Sequence, residues 1–189
     1  MRRNVAFCFV LGILLMVSNA VAGDIENGTF SMGASSNAVF YWTDSDRYED
    51  KQLSIEIEAG YFFYKNWEAG VALALQFGDD SYASYETYSL QPYIGYHWPL
   101  NAKSNIYGRI GGGYGFGSYD LDDGPPLDTE IITFYAEAGY EYFFSKDISL
   151  GLALRGIRSE IEYESDEAFY NDDETRDQLT TRLSFRLYF

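Results

Sequence analysis

The strongest constraint on this chain is a two-residue alternation that recurs along most of its length. At the C-terminus Leu179, Thr181, Leu183, Phe185, Leu187 and Phe189 form one rank, and Thr180, Arg182, Ser184, Arg186 and Tyr188 the other. Successive side chains of a strand point to opposite faces, so one face here is apolar and the other charged. The same division sets Trp67, Ala69, Val71, Leu73, Leu75 and Phe77 against Glu68, Gly70, Ala72, Ala74 and Gln76. It sets Leu53, Ile55, Ile57, Ala59, Tyr61 and Phe63 against Ser54, Glu56, Glu58, Gly60 and Phe62. Tyr88, Leu90, Pro92, Ile94, Tyr96 and Trp98 oppose Ser89, Gln91, Tyr93, Gly95 and His97. Phe134, Ala136, Ala138, Tyr140, Tyr142 and Phe144 oppose Thr133, Tyr135, Glu137, Gly139, Glu141 and Phe143. Segments around Phe30–Trp42 and Ile106–Phe116 keep the phase. Ile148, Leu150, Leu152 and Leu154 continue it up to a slip at Gly156, after which Ile157, Ile161 and Tyr163 take over the apolar rank; the slip reads as a β-bulge. No helical period of useful length competes, so the spacing predicts eight strands.

The connections predict how those strands are joined. Tyr64-Lys65-Asn66, Pro99 to Lys103 and Ser145-Lys146-Asp147 are short turns. The links between them, Thr43 to Asp50, Gly78 to Ala83, Asp120 to Thr129 and Ser165 to Arg176, are mostly longer and rich in acid. Tight turns at one end and longer polar loops at the other make an all-β, eight-stranded, antiparallel up-and-down barrel that crosses a membrane. A soluble barrel turns its polar face outward. Here Leu and Trp suit lipid, while Glu, Arg, Gln, Ser and Gly suit a lumen just wide enough for side chains. The last apolar rank is long enough for the roughly 9–11 residues a tilted strand needs to cross the hydrocarbon. Aromatics gather near strand ends: Trp67, Tyr96, Trp98, Tyr142, Phe144 and Phe189 beside the short turns, and Trp42, Phe77, Tyr88 and Phe116 near the long loops. They predict two interfacial girdles.

The first 22 residues have a different purpose. Arg2 and Arg3 precede an apolar run from Val5 to Val17, and Ala20-Val21-Ala22 has the small-x-small form of a signal-peptidase site. The run is too short to span a bilayer, so residues 1–22 read as a secretory signal and residues 23–189 as the barrel domain. Cys8, the one cysteine, lies inside that signal, too early to be a lipoprotein anchor. The mature protein thus has no thiol chemistry, and one His leaves no His- or Cys-based metal site. No cofactor is expected. The formal charge of −16, with 29 acids against 13 Lys plus Arg, excludes a nucleic-acid partner.

These residues resemble the small outer-membrane β-barrel superfamily, which includes the barrel domain of outer membrane protein A. The resemblance covers roughly Asp24 to Phe189. Its most specific piece is Phe189 with Leu187, Phe185 and Leu183 at alternate positions, similar to the signal read by the outer-membrane assembly machinery. Leu187 stands where Tyr is common, and Thr181 where an apolar residue is common. Gly28-Thr29-Phe30-Ser31-Met32-Gly33 also looks like the family's opening strand. The resemblance implies a bacterial outer-membrane location and contact with lipid and lipopolysaccharide. It implies no single activity, because roles in this superfamily range from anchoring to adhesion, serum resistance and transport.

Phasing puts Glu56, Glu58, Glu68, Glu137 and Glu141 inside with Arg109, Arg155, Arg182 and Arg186. Isolated charges there would cost several kcal/mol each, so they must pair or stay wet. Two readings follow: an ion-pair plug in a structural or surface-interaction protein, or a narrow pore for ions or small solutes. Glu68, Glu141 and Arg186 fall nearer the short turns, and Glu58, Glu137, Arg155 and Arg182 nearer the middle. His97 faces the lumen with no Ser, Cys or metal partner at readable spacing, which ranks a lipid-modifying enzyme last. The run Gly111-Gly112-Gly113-Tyr114-Gly115-Phe116-Gly117 fits no phosphate-loop pattern. Glycines 111, 113 and 115 are expected to make room for neighbouring Arg and Tyr side chains. The acidic loops, with Asp120, Asp122, Asp123, Asp166, Glu167, Asp172, Asp173 and Glu174, suit a solvated anionic surface, Ca²⁺ binding or divalent-ion bridges to lipopolysaccharide, and an extracellular ligand is a further partner they could meet. The barrel is expected to act as a monomer.

Overall fold

In the computed structural model, residues 25–40, 51–79, 83–121, 127–164 and 171–189 are described. The signal segment, Trp42, Asp122, Asp123, Asp166 and Glu167 lie outside them. Eight strands follow in order: β1 (Phe30–Phe40), β2 (Lys51–Tyr64), β3 (Trp67–Asp79), β4 (Ala83–Asn101), β5 (Ser104–Leu121), β6 (Leu127–Ser145), β7 (Ile148–Glu164) and β8 (Asn171–Tyr188). Each pairs antiparallel with its sequence neighbour, and β8 pairs with β1 to close the ring. Phe30 and Phe189 complete that seam by exchanging backbone hydrogen bonds of 3.1 and 2.9 Å.

The registers fix the barrel's dimensions. Following paired residues round the ring from Phe30 leads through Tyr61, Ala69, Ile94, Ile110, Ala136, Gly156 and Leu179 to Phe40, ten residues further along β1. With ordinary strand spacings, eight strands and a stagger of ten give a tilt of roughly 40° and a radius of about 8 Å. Side chains fill such a bore. The ten steps from Trp67 to Phe77 along β3 then rise about 25 Å, the height of an outer-membrane apolar band.

Burial is inverted relative to a soluble protein. Leu73, Leu90, Ile110, Phe134, Leu152, Leu183 and Phe185 are exposed on the outside, while Glu56, Glu68, His97, Arg182 and Arg186 are buried inside. The apolar core is a small cluster at the turn end, formed by Ile25, Phe62, Phe143 and Tyr188. Residues 25–28 fold back across that end: Asn66 exchanges hydrogen bonds with Ile25, and the Gly28 N–H donates to the Phe62 carbonyl over 2.8 Å.

Two expectations about the loop end of the strands are corrected. There is no bulge at Gly156, because the β6–β7 and β7–β8 registers run through it unbroken. Instead Ile161 is buried, Ile157 is half-buried, and both line the lumen, while Arg158, Glu160 and Glu162 face outward. Asp128, Glu130 and Asp177 also face outward on the flanking strands. The pattern reverses because these hairpins continue past the apolar band into water, where an outward polar rank is favourable. The second correction follows from the same extension. β5 runs to Leu121, and β6 and β8 begin at Leu127 and Asn171, so Asp120, Asp172, Asp173 and Glu174 belong to strands.

One ladder has a gap. Between β4 and β5 the pairs Gln91–Gly113 and Pro92–Gly112 are missing, whereas the pairs on either side are intact. Both need an N–H at position 92, which proline lacks. Opposite, Gly113 and Gly115 come so close to the β4 backbone that an added Cβ would meet the carbonyls of Leu90 and Tyr88. These two glycines therefore admit backbone, not the Arg and Tyr side chains expected.

Candidate functional site

The lumen is built in layers from the turn end upward. Above the apolar floor, His97 (β4) lies fully buried between Glu68 (β3) and Glu141 (β6), each 3.2 Å from one of its ring nitrogens. An ionised carboxylate only accepts, so the ring satisfies both by donating from both nitrogens. Protonated on both nitrogens, it would supply the positive charge that balances five carboxylates against four guanidinium groups. Ser149 donates to Glu141 and Ser31 to Glu68, each over 2.6 Å, and the Tyr188 hydroxyl also donates to Glu141. Tyr107 stacks on the imidazole with ring centres 5.5 Å apart.

The next layer joins strands across the bore. Arg109 (β5) donates to Glu58 over 3.0 Å and to Glu68 over 3.1 Å, with its guanidinium 4.7 Å above the Tyr93 ring and 4.9 Å above Tyr107. Arg186 (β8) donates to Glu58 and, over 3.3 Å, to Glu68. Higher still, Arg182 (β8) contacts Glu56 and Glu58 over 2.6 Å each, Glu137 over 3.1 Å and Ser35 over 2.9 Å. Arg155 (β7) grips Glu56 with both terminal nitrogens at 2.7 and 3.2 Å, and its Nε donates to Glu137 over 2.6 Å. Its guanidinium lies 4.2 Å over the Tyr135 ring. All nine charged lumen residues thus meet in one continuous network. Such charge-assisted bonds are roughly twice as strong as neutral ones.

Register decides which aromatic rings fit. Tyr93, Tyr107 and Tyr135 sit directly across from Gly70, Gly139 and Gly111, and each ring occupies the place a Cβ on that glycine would take. The flattened rings are the platforms on which Arg109 and Arg155 rest. The sequence places Tyr93, Tyr135 and the glycines on the inner face, and Gly111 makes room for a neighbouring Tyr as expected, but the alternation does not say which ring meets which glycine. The usable signal was an inward Tyr opposite an inward Gly once strands are aligned from their turns.

Above Arg155 the lumen opens into a cavity of about 60 Å³ toward the loop end and is lined by side chains of both characters. Among the described residues, Gln91 Oε1, Asn37 Oδ1 and Thr129 Oγ1 in this upper half are buried without a hydrogen-bond partner, as are Ser104 Oγ, both amide atoms of Asn105 and Arg109 Nε lower down.

Outside, Trp67, Tyr96 and Trp98 form a contiguous aromatic belt near the turns, with ring centres 5.1 and 4.7 Å apart, and Tyr142 and Phe144 continue it at 5.3 Å. Tyr88 and Phe116 pair near the loop end at 6.2 Å, and Phe77 is exposed on β3. Leu183, Phe185 and Phe189 are exposed, and Leu187 half-exposed, on the outer face of the closing strand.

Comparison with solved structures finds the same architecture in proteins of distant sequence. The N-terminal β-barrel domain of Pseudomonas aeruginosa OprF is 15% identical with a TM-score of 0.55, covering 87% of this chain and all of that one. The outer membrane protein OprG from Pseudomonas aeruginosa is 12% identical with a TM-score of 0.57, covering 87% and 97%. Neisserial surface protein A is 15% identical with a TM-score of 0.54, covering 85% and 94%. No curated protein sequence matches the chain. The profile of the outer membrane protein beta-barrel domain matches residues 7–186. With that match over most of its length, the chain, a ring of eight antiparallel strands with its apolar face outward, belongs to the outer membrane protein beta-barrel domain family, a family of the bacterial outer membrane.

Proposed function

We propose that this protein is a closed, non-enzymatic outer-membrane barrel, with its turns and both barrel termini in the periplasm, whose external contacts are made by the acidic loop end. The observation that carries this reading is the lumen network. Five carboxylates and four guanidinium groups are buried and joined across opposite strands above a floor of Ile25, Phe62, Phe143 and Tyr188. A solute path would have to break these contacts, and leaving one charge of a buried pair unmatched costs about 3–5 kcal/mol. His97 has both ring nitrogens engaged by carboxylates, which leaves it no free nitrogen to act as a base. The ring has no open strand edge, which favours a monomer. Lipid and lipopolysaccharide then contact the outer face and loops, and Leu183, Phe185, Leu187 and Phe189 present the outward rank for the assembly machinery. Planar-bilayer recording on refolded protein tests the closed lumen. Wild type is expected to give no steady conductance steps, whereas Arg182→Ala, which removes the group joined to Glu56, Glu58 and Glu137, introduces leak. Steady, reproducible channels in wild type would overturn the reading.

A further inference from the structure

We infer that the cavity above Arg155, on the loop side of the ion-pair network, is a binding site for a small neutral polyhydroxylated molecule or the terminal unit of a saccharide. Gln91 is only 6% exposed, and its Nε2 donates to Ser89 over 2.8 Å while its Oε1 has no partner. Asn37, facing the same space from β1, donates through Nδ2 to Ser54 over 3.3 Å and likewise leaves its Oδ1 unpaired. Buried polar atoms are seldom left unmatched, so two carbonyl oxygens lining one cavity call for an occupant that brings hydrogen-bond donors.

The surroundings narrow the donor's chemistry. A cation would meet Arg155 in the floor and Arg176 in the wall. An anion would meet Glu56 in the floor, and the two guanidinium groups of the lining are already engaged, Arg155 by Glu56 and Glu137 and Arg176 by Glu174. A neutral hydroxyl remains. The far wall is apolar, formed by Ile131, Ile157 and Ile161, and suits the C–H face that accompanies hydroxyls on a polyol. About 60 Å³ is room for roughly four to six water-sized groups, the size of glycerol or the exocyclic edge of one sugar residue. This inference does not rest on the closed-lumen reading, since the floor of the site is the uppermost layer of the ion-pair network whether or not the bore beneath it conducts.

The test is titration of the folded barrel in lipid nanodiscs, following the side-chain amide NMR signals of Asn37 and Gln91. Glycerol and glucose are expected to shift both signals saturably with millimolar affinity, and ethanolamine and glucuronate to leave them unmoved. Gln91→Met removes the free acceptor at similar volume. It is expected to weaken glucose binding at least tenfold while raising the unfolding midpoint of the empty barrel. Opposite signs for binding and stability are what a ligand-directed polar group produces; a purely structural glutamine would lower stability when replaced. The inference is overturned if neither glycerol nor glucose gives a saturable shift, which would leave ordered water as the sole occupant. It is also overturned if ethanolamine or glucuronate binds in preference, or if Gln91→Met binds glucose as wild type does.

Discussion

His97 shows how much a single side chain carries in a bore only about 8 Å in radius. It bridges Glu68 and Glu141 and is the ring against which Tyr107 stacks. His97→Leu keeps the bulk but leaves two buried carboxylates without their shared counter-charge. The expected loss is about 3–5 kcal/mol, read from urea unfolding in lipid vesicles. His97→Gln, which retains a donor, should recover part of it. An equal loss in both variants would mean that packing, and not charge, sets the position. Gly139 tests the aromatic pairing from the other side. A Cβ there would occupy the Tyr107 ring, which also supports Arg109, so Gly139→Val should cost at least ~1–3 kcal/mol in the same assay. The alternation in the sequence shows that Gly139, Tyr93 and Tyr135 face inward. It does not show which of them meet, because that depends on the register in which each turn closes.

At the scale of the strand, Pro92 is the informative exception. A closed ring has no edge on which to place a proline, and here it leaves the Gly112 carbonyl facing a position with no N–H. Pro92→Val supplies the donor and a side chain that fits a pleated surface. The expected gain is about 1 kcal/mol, with a slowly exchanging amide at residue 92; no gain, or a fast-exchanging amide, would show that the strands are held apart there for another reason. The β7 strand shows where sequence reading failed. A switch in the apolar rank can mean an inserted residue or a change of solvent. Ile157 and Ile161 looked like the first because the alternation alone does not mark where lipid gives way to water. The outward rank of Arg158, Glu160 and Glu162 marks it once the register is known.

At the scale of the whole molecule, strand number and the inward charged set were legible because both follow from period two alone. The stagger of ten, the cap formed by residues 25–28 and the cavity above Arg155 were not, because each arises from alignment between segments far apart in sequence. The ion-pair network has the same origin, and it imposes an order of events. Glu56 and Arg155 lie 99 positions apart, and Glu58 and Arg186 lie 128 apart. The second pair, between strands adjacent to β1 on either side, comes together only as β1 and β8 zip. Until then the sheet carries unmatched charges on its concave side, and acyl chains cannot solvate them. The unfinished barrel must therefore enter the bilayer curled around its own water. Water leaves these layers as the guanidinium groups reach their carboxylates, so the last zippering of the seam and the drying of the charged layers are a single event.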